Sequence, residues 1–454
     1  MRLYINECIK AFCRRSTIGI FLALTVLNGV LLWVNESLGE EQLYTARQYK
    51  AVYDHIQNTS ADKALEKLTQ MQSELEIIEQ MSFGEEVSDI DINADTKSML
   101  EKYKSKSYLR FCNDIYTEPQ LIADVIKEVQ AFAEYDSYLD GIDKQARKMT
   151  GISLFAEPDS FSYKNIAKTP DDFAHLKGST LAPAPSKGAH MATGFFPTDI
   201  AAFLMIMTVV VTIVTRENEL DQITLSRTTY KGRIPLGIAK LMTCFTAAFA
   251  ALILLYSVNL AAGYFTYGYG DLGRQIQSVF SFNGSDLKLS VIQYFVLFLI
   301  SKFGVYCLFA ALIYMITTVS NSSVKVYALL AVILAAEAVM YFTTVIYILT
   351  YAPYFYNVLN AYGTRQLSAP AYSLEHLSGW NLSILEYLIL ISVLRYLGMI
   401  LAMLLIYFVS RKAKSYISAI LIETAVLIVP PVLFLLDLSA FKWFGLSPII
   451  FANV

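Results

Sequence analysis

The chain has 454 residues, is 55% hydrophobic and only 17% charged, and carries a formal net charge of −3. Soluble domains have roughly a quarter of their residues charged, so this composition excludes an ordinary soluble globular protein. Five cysteines and four histidines in a chain of this length build neither a disulfide framework nor a metal-ligand pattern.

Residues 1–16 read as a cytoplasmic amphipathic helix. Leu3, Ile5, Ile9 and Phe12 fall near one face, and Lys10, Arg14 and Arg15 on the other, a pattern suited to a helix lying on the inner membrane surface. The alternative is that the following span starts early. Residues 17–34 form the first apolar run. A signal peptide is the competing reading, but the run is long and Trp33-Val34-Asn35-Glu36-Ser37 offers no small-x-small cleavage site. An uncleaved transmembrane span is expected.

Residues 35–197 form a polar insert with 27 acidic against 17 basic residues, a net −10. Tyr44 to Ile56, Ala61 to Met81 and Gln120 to Met149 are helical in pattern. In the second, Leu65, Leu68, Met71, Leu75 and Ile78 recur at three or four residues and make one apolar stripe, a core face rather than a ligand site. Thr59 or Ser60 is the expected cap of this helix. The stretch 176–196, rich in Gly, Ser, Pro and Ala, reads as a flexible tether returning to the membrane.

Runs of about 18 or more nearly uncharged residues begin near Thr17, Thr198, Ile238, Leu289, Val326, Leu385 and Tyr416. Each is long enough as a helix to cross a hydrocarbon core of about 30 Å, and only helices or closed barrels satisfy their backbone groups there. The expected architecture is an all-α polytopic membrane protein. It is a helical transmembrane bundle of seven spans, spans 2–7 falling in residues 198–436, with a mainly α-helical extracytoplasmic domain inserted between spans 1 and 2. Lys and Arg fix its orientation. Arg2, Lys10, Arg14 and Arg15, then Arg216, Arg227, Lys231, Arg233 and Lys240, then Lys325, then Arg411, Lys412 and Lys414 fall on one side. That side is read as cytoplasmic, with the N-terminus inside. Residues 437–454 form an external tail with Phe441, Trp443 and Phe444 at the interface. A chain end so close to a span points to at least one further helix beyond Val454.

Arg216 to Lys240, RENELDQITLSRTTYKGRIPLGIAK, is a short charged segment between two spans. Thr228, Thr229 and Tyr230 lead into Lys231-Gly232-Arg233. Gly232 accommodates the positive φ of a helix end, and Pro235 suits the first turn of the next helix. Glu217, then Ser226-Arg227-Thr228-Thr229, Gly232-Arg233 and Lys240 resemble the cytoplasmic connector of permease subunits in the type-2 ATP-binding-cassette exporter family. The overall layout is similar to Gram-positive members with a large external domain after the first span, and Phe155 to Leu176 looks like the external domain of such members. Many members carry a Gly shortly after the acidic start, where this chain has Asp221 and Gln222. The resemblance implies that residues 216–240 act as a coupling helix docked on a separate ATPase subunit, with Glu217, Glu219, Arg227, Thr228, Thr229, Gly232, Arg233 and Lys240 as the coupling residues. The alternative is a solvated loop whose charges only fix topology.

Lys302, Glu337, Arg395 and Glu423 fall inside apolar runs. There each costs roughly 2.5–3.5 kcal/mol on insertion scales, so they are expected to face the bundle interior, for example Lys302 with Glu337 and Arg395 with Glu423. They read either as a polar seam along a transport route or as helix-to-helix locks. The chain carries no phosphate-binding glycine loop, nucleophile elbow or catalytic carboxylate pair, and is not read as an enzyme.

The expected function is the permease subunit of an exporter in the cytoplasmic membrane of a Gram-positive bacterium. It would work as a homodimer or heterodimer in contact with membrane lipid, with no cofactor of its own; ATP and magnesium belong to the partner ATPase. No metal site and no nucleic-acid partner are expected. The rival is a non-transporting sensor or scaffold that binds an envelope partner through its external domain.

Overall fold

The computed structural model describes residues 2–38, 44–82, 111–112, 117–151, 158, 167, 170–171, 173–195, 197–219, 234–283, 288–319, 323–324 and 326–327. Among these residues the protein is helical, without strands; a single bridge pairs Gln275 with Ser290. The helices are α1 (Arg2–Phe12), α2 (Arg15–Leu38), α3 (Ala46–Ile56), α4 (Ala61–Ser82), α5 (Thr117–Ala133), α6 (Tyr135–Thr150), α7 (Lys187–Thr193), α8 (Pro197–Glu219), α9 (Ile234–Thr266) and α10 (Val291–Val319).

Among the described residues, four segments are long and apolar enough to cross a membrane: Arg15–Ser37, Lys187–Thr215, Pro235–Thr266 and Val291–Thr318. They fall on the predicted runs beginning near Thr17, Thr198, Ile238 and Leu289, and they make this a membrane protein. The runs near Val326, Leu385 and Tyr416 lie outside the described residues, apart from Val326 and Tyr327. Pro197 opens α8, where a missing N–H costs nothing. In the most apolar stretch of Lys187–Thr215, 78% of the residues are buried, against 22% in that of α2. Hence α8 is the packed centre of the described bundle and α2 lies at its periphery.

Side-chain bonds give the helix directions. Thr198 and Asp199, at the start of α8, meet Asn259 and Tyr256 near the end of α9, so these two helices run antiparallel. Tyr314 on α10 reaches the carbonyl of Gly237 at the start of α9, which makes α10 antiparallel to α9 as well. Asn28 bonds Asn259, and Glu36 accepts from Tyr267; α2 therefore runs parallel to α9. Helix α1 lies against the start of α9, through Tyr4 to Thr246 at 2.7 Å. Of the apolar face predicted for residues 1–16, Ile5 and Ile9 stay exposed, whereas Phe12 turns inward and packs edge-on against Phe21 of α2.

The insert builds a helical unit at the end of the bundle opposite α1. Thr45 and Gln48 close a capping box at the start of α3, which fixes its first turn, and Asn58, with φ 65°, turns the chain toward α4. Leu68, Met71 and Leu75 of the predicted stripe are buried against Leu121, Ile122, Val125 and Val129 of α5. Each such side chain contributes about 1.5–3 kcal/mol by leaving water. Leu65 packs at the edge of this core. The helix predicted over Gln120 to Met149 is two helices that break at Glu134. Phe132 and Tyr135, on either side of the break, pack with Leu139, Phe173, Leu176 and Leu181 in a second small core.

One expectation is corrected. The 176–196 stretch, read as a flexible tether from its Gly, Pro and Ala content, is packed at many of its described residues, while Lys177, Gly178, Thr180 and Ala182 stay exposed. Leu176, Leu181, Ala184, Ala189 and Ala192 are buried, and α7 presses on α9 so closely that a Cβ on Gly263 would stand 2.6 Å from the Gly188 carbonyl oxygen. Small residues loosen a chain in water but permit close backbone approach inside a packed junction, and composition alone does not separate the two.

Candidate functional site

The connector read as a coupling segment joins two packed antiparallel helices. Glu217 and Glu219 lie on the last turn of α8. Arg227, Thr228, Thr229, Gly232 and Arg233 lie outside the described residues. Lys240, on the second turn of α9, is buried at 5% exposure. Since α1 packs on the following turns through Tyr4 and Cys8, the amphipathic helix, Lys240 and the chain ends that enter the connector share one end of the bundle.

Of the four intramembrane charges, only Lys302 lies within the described residues; Glu337, Arg395 and Glu423 lie outside them. Lys302 on α10 has a partner that sequence reasoning did not single out. Its Nζ donates to Asp199 Oδ2 on α8 at 2.7 Å. The other carboxylate oxygen accepts from Tyr306 at 2.5 Å and from Tyr256 at 3.3 Å. Asp199 and Lys302 are 1% and 2% exposed, and the ammonium also lies 5.8 Å from the Phe298 ring centre. Charge is cancelled locally, and both carboxylate oxygens are occupied. Beside this cluster, Asn28, Thr198 and Asn259 close a ring of three hydrogen bonds of 2.8–2.9 Å across α2, α8 and α9. Three helices thus converge on Asp199, and three on the neighbouring ring.

A second carboxylate, Glu128 on α5, is clasped in the helical unit. Its Oε2 accepts from Tyr49 at 2.7 Å and Tyr53 at 2.6 Å, both on α3. Burial pushes the Glu128 carboxyl above its ordinary range, opposed by those hydroxyls and by the more distant Lys187. Burial likewise raises both tyrosines. Next to it, Tyr44 donates to Asp124 at 2.6 Å, and Lys187 donates to Tyr44 at 2.7 Å while lying over the rings of Tyr44 and Tyr49.

Arg274, in the loop between α9 and α10, ties this region to the bundle. Its guanidinium donates to the carbonyls of Ser278 at 2.7 Å, Pro185 at 2.8 Å and Ala184 at 3.4 Å. Burial pulls it down to about 10. In the sequence Arg274 is an isolated cation in the short stretch between two apolar runs. A single arginine among short-loop residues carries no local sign that three carbonyls await it.

Between α2 and α7 a cavity of about 280 Å³ is lined by Leu32, Asn35, Glu36, Lys187, His190, Met191, Gly194, Phe195 and Tyr267. Neither the bundle cluster nor the Glu128 cluster resembles a hydrolytic or group-transfer centre, since their acids are saturated by tyrosines or paired with lysine. No protein-family model matches the chain, and neither a curated protein nor a solved structure matches it.

Proposed function

We propose that the protein is the membrane-spanning subunit of an exporter driven by a separate ATPase, with residues 216–240 as the docking element. In this reading the N-terminus and the connector face the cytoplasm, the helical unit faces outward, and two such subunits form the route for a substrate crossing the cytoplasmic membrane or leaving it. The observation that carries the proposal is the place of the connector. It follows the most buried helix of the described bundle, α8, and leads directly into α9, so a displacement there is delivered to the packed centre. The resemblance of Glu217, Thr228-Thr229, Gly232-Arg233 and Lys240 to the family's connector agrees with that placement. The charges on such an element set docking register more than affinity. Packed helices joined by a docked segment are the kind of element through which a partner's motion is passed on.

The test is purification of the complex. Gly232→Pro combined with Arg233→Glu is expected to abolish co-purification of an ATPase while the protein still inserts in the membrane. Undiminished co-purification overturns docking through this segment. A wild-type assembly that retains an envelope protein and no ATPase overturns the exporter reading in favour of a sensor or scaffold.

A further inference from the structure

The cavity between α2 and α7 holds an acid and a base that do not pair with each other. Among the described residues no ion pair joins Glu36 to Lys187, although both line the cavity. Each is pinned by a different tyrosine instead. Glu36 Oε1 accepts from Tyr267, and Lys187 donates to Tyr44 and lies 4.7 Å from that ring's centre. Glu36 and Lys187 attract each other across the cavity without bonding, and Lys187 also feels Asp124 and Glu128, so the cavity presents one group of each sign to whatever enters. An anion alone would meet Glu36, and a cation alone would meet Lys187. A zwitterion satisfies both.

The depth of the cavity identifies the kind of zwitterion. It lies at the last turns of α2, level with the end of α9. There Trp33 and Tyr264 are exposed at 69% and 57%, amphipathic aromatic residues of the kind that mark the membrane interface, with Phe265 exposed beside Tyr264. Leu32 from α2 and Met191 and Phe195 from the α7 side supply apolar lining, while Asn35 and His190 are exposed. About 280 Å³ is at or below the roughly 300–1,000 Å³ of small-molecule clefts. That suits a head group whose chains remain outside, along Val26, Leu27 and Val30, which are exposed on α2.

We propose that this cavity binds the head group of a zwitterionic phospholipid with a primary ammonium, of the phosphatidylethanolamine kind. The ammonium faces Glu36, the phosphate faces Lys187 and His190, and the acyl chains lie on the outer face of α2. The inference needs only the membrane placement and not the coupling to an ATPase, so a failure of one leaves the other standing.

Trp33 is a built-in probe, being one of three tryptophans in the chain. The full-length protein carrying Trp380→Phe and Trp443→Phe is reconstituted in phosphatidylcholine vesicles. Brominated phosphatidylethanolamine, phosphatidylglycerol or phosphatidylcholine is then added as quencher. Phosphatidylethanolamine is expected to reach Trp33 with about threefold preference over the other two, the size of one partly exposed ion pair. Glu36→Gln, which keeps an acceptor for Tyr267, is expected to bring that preference over phosphatidylglycerol to about one or below it, since only the charge is removed. Equal quenching by all three lipids, or an unchanged preference in Glu36→Gln, overturns the proposal. Soluble phosphoethanolamine at millimolar concentration is expected to leave quenching unaltered; relief of quenching would assign the site to a free phosphoamine and overturn the lipid.

Discussion

Asp199 in the bundle and Glu128 in the helical unit are both held by two tyrosine hydroxyls, yet their charge is handled differently. Asp199 has the ammonium of Lys302 at 2.7 Å, whereas Lys187, the cation nearest Glu128 in influence, donates its hydrogen bond to Tyr44. Where lipid surrounds the helices, a carboxylate supported by neutral donors alone would carry the full cost of its charge. At the junction, polar loops and a cavity lie close by, and neutral donors suffice at the expense of a raised pKa. The difference separates a charge-paired lock from a clasp built of neutral donors.

The comparison breaks most visibly at the ion pair. Asp199→Ala leaves Lys302 buried without its carboxylate and is expected to cost about 3–5 kcal/mol, read as a fall in the thermal midpoint of the detergent-solubilised protein. Asp199→Leu with Lys302→Met is expected to recover most of it, because both charges are gone. A double variant as unstable as the single one would mean that the pair is not what Lys302 is for. A smaller effect is expected at the hydroxyls. Tyr53→Phe removes one of the two tyrosine donors to Glu128 and should cost about 1–3 kcal/mol, while Tyr306→Phe, with Lys302 still in place, should cost nearer 1 kcal/mol. Equal losses would erase the distinction between the two clasps.

The smallest effect is a slope. Glu128 has its folded pKa raised from an ordinary 4.5 by burial, so the folded state holds its proton at a pH where the unfolded chain has released it. Its contribution is fully present below the unfolded pKa and is lost as pH rises through the folded value. Hydrogen exchange in α3 and α5 should therefore quicken as pH is raised from about 4.5, after correction for the intrinsic exchange rate. Glu128→Gln should flatten that dependence. The same slope in both proteins would place the titrating group elsewhere.

The first four spans were legible because their apolar runs are long and unbroken, and Lys302 stood out because the run around it has no other charge. Asp199 was not legible. It follows Pro197-Thr198 at the start of a helix, where an acid reads as an ordinary first-turn residue favoured by the helix dipole. Glu128 hid for a different reason: on an amphipathic helix in an insert of net −10, one more glutamate looks like surface. The partners of both come from other helices, and pairing across helices leaves no spacing in the chain to read. The Gly188–Gly263 approach was misread as looseness because the glycines that permit close packing are the same ones that make linkers.

Helix α9 runs unbroken for 33 residues, about 50 Å at 1.5 Å per residue, well beyond a hydrocarbon core of about 30 Å. One tip begins just after the connector, and the other lies beneath α7 with its glycines pressed together. Nothing along it provides a joint: no cis bond interrupts the described chain, and its only proline stands at the first turn. A tilt imposed at the connector end therefore displaces the far tip by a similar angle, carrying the roof of the junction with it rather than dissipating midway.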